Sequence, residues 1–139
     1  MKRIQLLIVL LISNLAISQL SNKHWLPPLH ANTSVDANLI SDHFLYLATP
    51  EQIPFQVTIT DGALNPIAGS PFTISKGNPV SIQIGSSQPS SMFLSRPDVG
   101  FVVSDKGLIL EGSFDFYVSF RVRSLNHAEF LSSKGTTGA

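Results

Sequence analysis

The chain has 139 residues, 43% of them hydrophobic and 13% charged, with nine basic and nine acidic side chains and no cysteine. The missing cysteines exclude disulfide frameworks, thiolate zinc sites and thiol nucleophiles, so stability has to come from packing. Balanced charge offers no basic field to a phosphate backbone, which argues against a nucleic-acid partner.

Residues 1–18, MKRIQLLIVLLISNLAIS, begin with Lys2 and Arg3, continue through an apolar run from Leu6 to Ile12, and end on the small residues Ala16 and Ser18. This is the layout of a secretory signal peptide cut between Ser18 and Gln19. Ser13 and Asn14 stop the run well short of the roughly 18 apolar residues a membrane-spanning helix needs. The expected product is exported, secreted or held at the cell surface, with no membrane span after cleavage. Loss of Lys2 and Arg3 leaves seven basic residues against nine acidic ones. The remaining chain, about 120 residues long, suffices for one packed core.

Residues 19–42 read as an extended lead-in, polar and broken by Pro27 and Pro28, with Trp25 and Leu26 placed to dock on the first sheet. The β-rich domain is expected over 43–139. HFLYLA (43–48) opens it, apolar at consecutive positions. FQVTIT (55–60) alternates, with Phe55, Val57 and Ile59 on one face, as a half-buried strand does. Asp61-Gly62 is expected to supply the positive backbone angle of the next turn. PFTIS (71–75) returns, KGNP (76–79) turns, and VSIQI (80–84) alternates again. After a Ser-, Gly- and Pro-rich loop at 85–92, VGFVV (99–103) and LILE (108–111) are expected to form a hairpin across SDKG. FDFYVSFRV (114–122) is the strongest strand, with Phe114, Phe116, Val118, Phe120 and Val122 on one face. Short strands at close spacing, without helical periodicity before residue 125, predict an all-β, antiparallel sandwich or barrel-like sheet domain. The closing SSKGTTGA carries no strand pattern, so the domain is expected to be incomplete at its C-terminus.

Charge concentrates in RVRSLNHAEFLSSKG (121–135), which makes Arg121, Arg123, Asn126, His127, Glu129 and Lys134 the candidate site residues. Two arginines at alternate strand positions share a face. Amide, imidazole and carboxylate groups just beyond can bond guanidinium or backbone, so a structural network at the strand exit is favoured over a ligand site. A hydrolase using His127 and Glu129 is the enzymatic alternative, but no G-x-S-x-G elbow and no distinctive pair of acids supports it. The four histidines lack metal-ligand spacing, and neither DGALNP nor SDKG has a calcium-loop pattern. No cofactor or metal is expected. Asn32-Thr33-Ser34 fits the glycosylation triplet. Trp25, Phe44, Tyr46, Phe116 and Tyr117 could form a sugar platform, although most are expected in the core, leaving Trp25 and Tyr117 at the surface.

The segments FYVSFRVRSLNHAEFLSSKGTTGA (116–139), LYLATPEQIPFQVTIT (45–60) and SKGNPVSI (75–82) together resemble the bacterial branch of the IgGFc-binding protein N-terminal domain family. That branch typically shows a TP-E opening, a Y-x-S-Y/F-R-V strand, then NHAE and SKG, with Phe120 here where tyrosine is common. The resemblance implies an exported domain of the kind found in long surface proteins, often of Bacteroidota. It also implies strands continuing past SKG, so that the chain would be an N-terminal portion. The immunoglobulin binding of the animal relatives is not carried over. The expected function is adhesion, or interaction with an extracellular protein or glycan, without catalysis. The alternatives are a fragment with no independent function and the hydrolase above.

Overall fold

The computed structural model describes residues 20–30, 40–86, 90–94, 96–124 and 128–132, with backbone alone at 40, 41, 96, 124 and 128–132. The expected leader, the Asn32-Thr33-Ser34 triplet and the tail from 133 lie outside these residues. The chain is all-β: β1 (Ser21–Leu26), β2 (Leu29–His30), β3 (Ile40–Ala48), β4 (Phe55–Asp61), β5 (Phe72–Ile74), β6 (Val80–Gly85), β7 (Phe93–Leu94), β8 (Leu108–Ser124) and β9 (Ala128–Ser132). Among the described residues the only helical segment is a 3-10 turn at Arg96–Asp98. No described helix is long and apolar enough to cross a membrane.

β8 organises the rest. Its first half pairs antiparallel with β4, from Leu108 opposite Asp61 to Gly112 opposite Val57, and with β1, from Leu108 opposite Leu26 to Glu111 opposite Lys23. Its second half pairs with β3, from Tyr117 opposite Ala48 to Ser124 opposite Ile40, and with β9, from Ser119 opposite Ser132 to Arg123 opposite Ala128. β5 extends the sheet beyond β4, and β6 extends it beyond β3. The strand order β5-β4-β8-β3-β6 is thus one antiparallel sheet bent about β8. Its two ends, β5 and β6, are brought into contact across the turn at Ser75–Asn78, which makes the sheet nearly barrel-shaped. The two-residue strands β2 and β7 pair parallel to each other.

Period-two alternation fills the interior. Leu45 and Leu47 of β3, Val57 and Ile59 of β4, Ile82 of β6, and Leu110, Phe116, Val118 and Phe120 of β8 are buried in one cluster with Met92 and Phe93. Phe93 and Phe120 lie 6.4 Å apart between ring centroids. Burying each such side chain stabilises the fold by about 1.5–3 kcal/mol.

Several elements depart from the sequence expectation. LILE and FDFYVSFRV are one strand, not two. At their junction β1 advances two residues, from Ser21 to Lys23, while β8 covers five, from Phe116 back to Glu111. This bulge carries β8 from one half of the sheet to the other. Phe114, expected inside, lies on it and is 42% exposed, edge-on to Phe55. Gly112 fits there because a Cβ would come within 2.9 Å of the Phe55 ring.

VGFVV is not a strand. Pro97 lies in the 3-10 turn, the Phe101 amide bonds back to the Asp98 carbonyl, and Gly100 takes a φ of 91°. The segment is therefore a loop, with Phe101 74% exposed, and LILE takes its partners from β1 and β4 instead. β1 falls within the span read as a lead-in and supplies the buried Leu26. The β4–β5 connection takes positive φ at Leu64 and at Gly69, not at Gly62. Gly62 is needed for a different reason, since a Cβ there would meet the carbonyl oxygens of Ser104 and Lys106.

The distinction between core strand and exposed loop predicts opposite outcomes for two phenylalanines. Phe120→Ala should cost about 3–5 kcal/mol by chemical denaturation. Phe101→Ser should change stability by less than about 0.5 kcal/mol. Comparable losses from the two substitutions would contradict this placement.

Candidate functional site

Because side chains alternate along a strand, the residues between the core positions of β3, β6 and β8 share the outer face of that half of the sheet. β3 supplies Asp42, Phe44 and Tyr46, β8 supplies Tyr117, Ser119, Arg121 and Arg123, and β6 supplies Ser81 and Gln83. The register sets the rows: Gln83, Phe44 and Arg121 are neighbours, as are Ser81, Tyr46 and Ser119. Asp42 stands opposite Arg123.

The Arg121 guanidinium carbon lies 5.1 Å from the centroid of the Tyr46 ring, a diagonal cation–π contact across β3 and β8. The Phe44 and Tyr46 rings are 6.4 Å apart and tilted. Arg123 donates from Nε to Asp42 Oδ2 at 3.1 Å and forms a second bond to the same oxygen from its terminal nitrogen. Gln83 Nε2 donates to Asp42 Oδ1 at 3.0 Å. Both Asp42 oxygens are thereby engaged, in a polar chain that crosses β8, β3 and β6.

Among the described side chains, Arg121 meets Tyr46 and Arg123 meets Asp42, both on β3 far upstream in sequence. Asn126, His127 and Lys134 lie outside the described residues. Glu129 stands in β9 opposite Val122, while Arg121 and Arg123 register with Phe130 and Ala128. Asp42 and Gln83 are not among the sequence candidates, and Tyr46 is one only as a sugar-platform aromatic. The signal was present in DHFLYL, whose alternation puts Asp42, Phe44 and Tyr46 on one face, but apolar residues on both faces obscured it.

The aromatic candidates separate in space. Phe116 is in the core, Tyr46 is 37% exposed and Tyr117 is also exposed on the β3–β8 face, and Phe44 there is half-buried. Sequence reading expected Phe44 and Tyr46 inside. They face outward because Leu45 and Leu47 occupy the inward positions. Trp25 is 47% exposed on β1, at the other half of the sheet, with Lys23 Nζ 5.1 Å from its ring centroid. Lys23 also pairs with Glu111.

Among the described residues no group of three or more His, Cys, Asp or Glu side chains is placed to hold a metal. A small cavity of about 200 Å³ is lined in part by Asp61, Asn65, Gln83 and Ser91. Its carboxylate accepts hydrogen bonds from the Asn65 amide, the Asn65 side chain and the Ala63 amide. These bonds, the Asn65 amide first, hold Asp61 below the usual carboxylate range, which makes it a turn cap and a poor base. His24 and His43 are both fully buried.

No known family, curated protein or solved structure matches the chain.

Stability measurements on Arg121→Ala, Tyr46→Ala and the double variant should give a coupling of about 0.5–1 kcal/mol for the ring–guanidinium contact. Arg123→Ala should cost about 1 kcal/mol, because the arginine is exposed and Asp42 keeps its bond from Gln83. A coupling of zero would remove the cation–π contact from the account.

Proposed function

We propose that the protein is an exported, non-catalytic β-domain that binds an extracellular protein or glycan through the outer face of β3 and β8. The observation that carries this reading is the outward-facing Phe44–Tyr46–Arg121 cluster, bordered by Tyr117 and by the Asp42–Arg123 pair. Tyrosine and arginine are the side chains most enriched where binding energy concentrates, since each offers a large contact area together with a polar end. Here both are set on a sheet. Their backbones are fixed by strand pairing, so little conformational entropy would be lost on contact.

The layout of residues 1–18 supports export, and the resemblance of 116–139 to the bacterial branch of the IgGFc-binding N-terminal domain family supports an extracellular setting.

Expression of the full chain in a bacterial host, followed by fractionation, should yield a processed product outside the cytoplasm. The exported product should then retain ligands from a glycan array or a panel of extracellular matrix proteins. Tyr46→Ala combined with Arg121→Ala should lower that affinity at least tenfold. A cytoplasmic, unprocessed chain would contradict export, and binding indifferent to the double substitution would contradict this face.

A further inference from the structure

His43 has the least accommodating surroundings of the titratable groups described. Its side chain is fully buried in β3, and neither ring nitrogen has a hydrogen-bond partner. The ring lies edge-on to Phe93 at 5.2 Å and tilted against Phe120 at 6.3 Å. On the β6 side it is covered by Gly85, where any Cβ would collide with the imidazole. The pairing is also irregular at this point: His43 faces Gly85, but the next residue, Phe44, faces Gln83, so β6 carries an extra residue. An imidazole is thus sealed under a bulge, at the seam joining β3 to β6 and β8.

Among the described residues the charged groups around it are few. β3 contributes the adjacent Asp42, whose two oxygens are already taken by Arg123 and Gln83 on the outer face. β6 contributes Gly85, β7 contributes Phe93, and β8 contributes Phe120 and Val122, none of them ionisable. An imidazolium at this position would have two N–H donors and no acceptor, in an apolar pocket.

We propose that His43 is an acid-sensitive joint, whose protonation opens the pairing of β3 with β6 and exposes the core beneath it. Burial holds the imidazole below its ordinary range, with Asp42 opposing in part. The folded protein therefore binds this proton less readily than the unfolded chain does. Stability is complete above the unfolded value of about 6.5 and falls as acid is added, the unfolding constant rising by up to about tenfold per pH unit until the folded group itself titrates.

His24 is the internal control. It is equally buried, and its pKa is also lowered by burial, but its Nε2 lies 2.9 Å from the Phe116 carbonyl and 3.0 Å from that of Ser21. Two carbonyl acceptors require a proton on that nitrogen and stay satisfied when the ring becomes charged. By the same linkage His24 contributes to the acid response, but its bonded nitrogen keeps its partners on protonation, so the opening of the β3–β6 pairing belongs to His43.

Thermal unfolding of the full chain between pH 7.5 and 5.5 tests this. The midpoint should fall with acid in the wild type and in His24→Gln, and should fall clearly less in His43→Leu, which keeps the volume and removes that titration. An equal fall in His43→Leu and wild type would overturn the proposal, as would a level wild type. If His43→Leu does not fold, the imidazole carbon-bound proton resonances of the wild type decide. His43 should titrate below its ordinary value of about 6.5 while the protein is folded, and titration at or above that value would refute the joint.

Discussion

Residues 108–124 have to serve two halves of one sheet, and the fold depends on how a single strand does so. β8 is paired along most of its length, first by β1 and β4, then by β3 and β9. Strands separated by more than eighty residues in sequence meet on it, which no local preference could arrange. The change from one half to the other is made by the bulge between Glu111 and Phe116, where Gly112 lets the Phe55 and Phe116 rings close in. On the inner side of the same bulge, His24 ties β1 to the Phe116 carbonyl and lies tilted against the Phe116 ring at 4.7 Å. The imidazole thus bonds to the carbonyls of Ser21 and Phe116, the pair at which the β1–β8 register shifts.

The second half of β8 has two sides with different physics. Inward, Phe116, Val118 and Phe120 join Leu45, Leu47 and Phe93 in a dry core that gives most of the stability. Outward, Tyr117, Ser119, Arg121 and Arg123 meet Asp42, Phe44 and Tyr46 in contacts worth about 1 kcal/mol or less each. Such contacts add little to folding, yet they fix where the aromatic rings and guanidinium groups sit. The outer face is therefore ordered by a core that it does not itself stabilise.

The all-β class was legible because alternation is strict in FQVTIT, VSIQI and FDFYVSFRV, where each step of two returns to the core. VGFVV misled, since five apolar residues with β-branched members look like a strand until Pro97 and Gly100 are given their backbone consequences. Trp25 drew attention away from Ser21–Leu26, whose burial at every second or third position is blurred by His24, a polar residue doing a core residue's job. At the candidate site, Arg121 and Arg123 could be placed on one face from their spacing alone. Their partners Tyr46 and Asp42 could not, because register between strands this distant is set by the bend in β8, which the sequence marks only with Gly112 and Ser113.

Native-state hydrogen exchange on the amides of residues 108–124 tests the shared strand most directly. If β8 joins both halves into one structure, amides on either side of the Gly112–Asp115 bulge should be protected and exchange through the same cooperative opening, with equal free energy and equal dependence on denaturant. Two groups of amides, 108–111 and 116–123, opening at clearly different free energies would show two independent sheets and contradict the account.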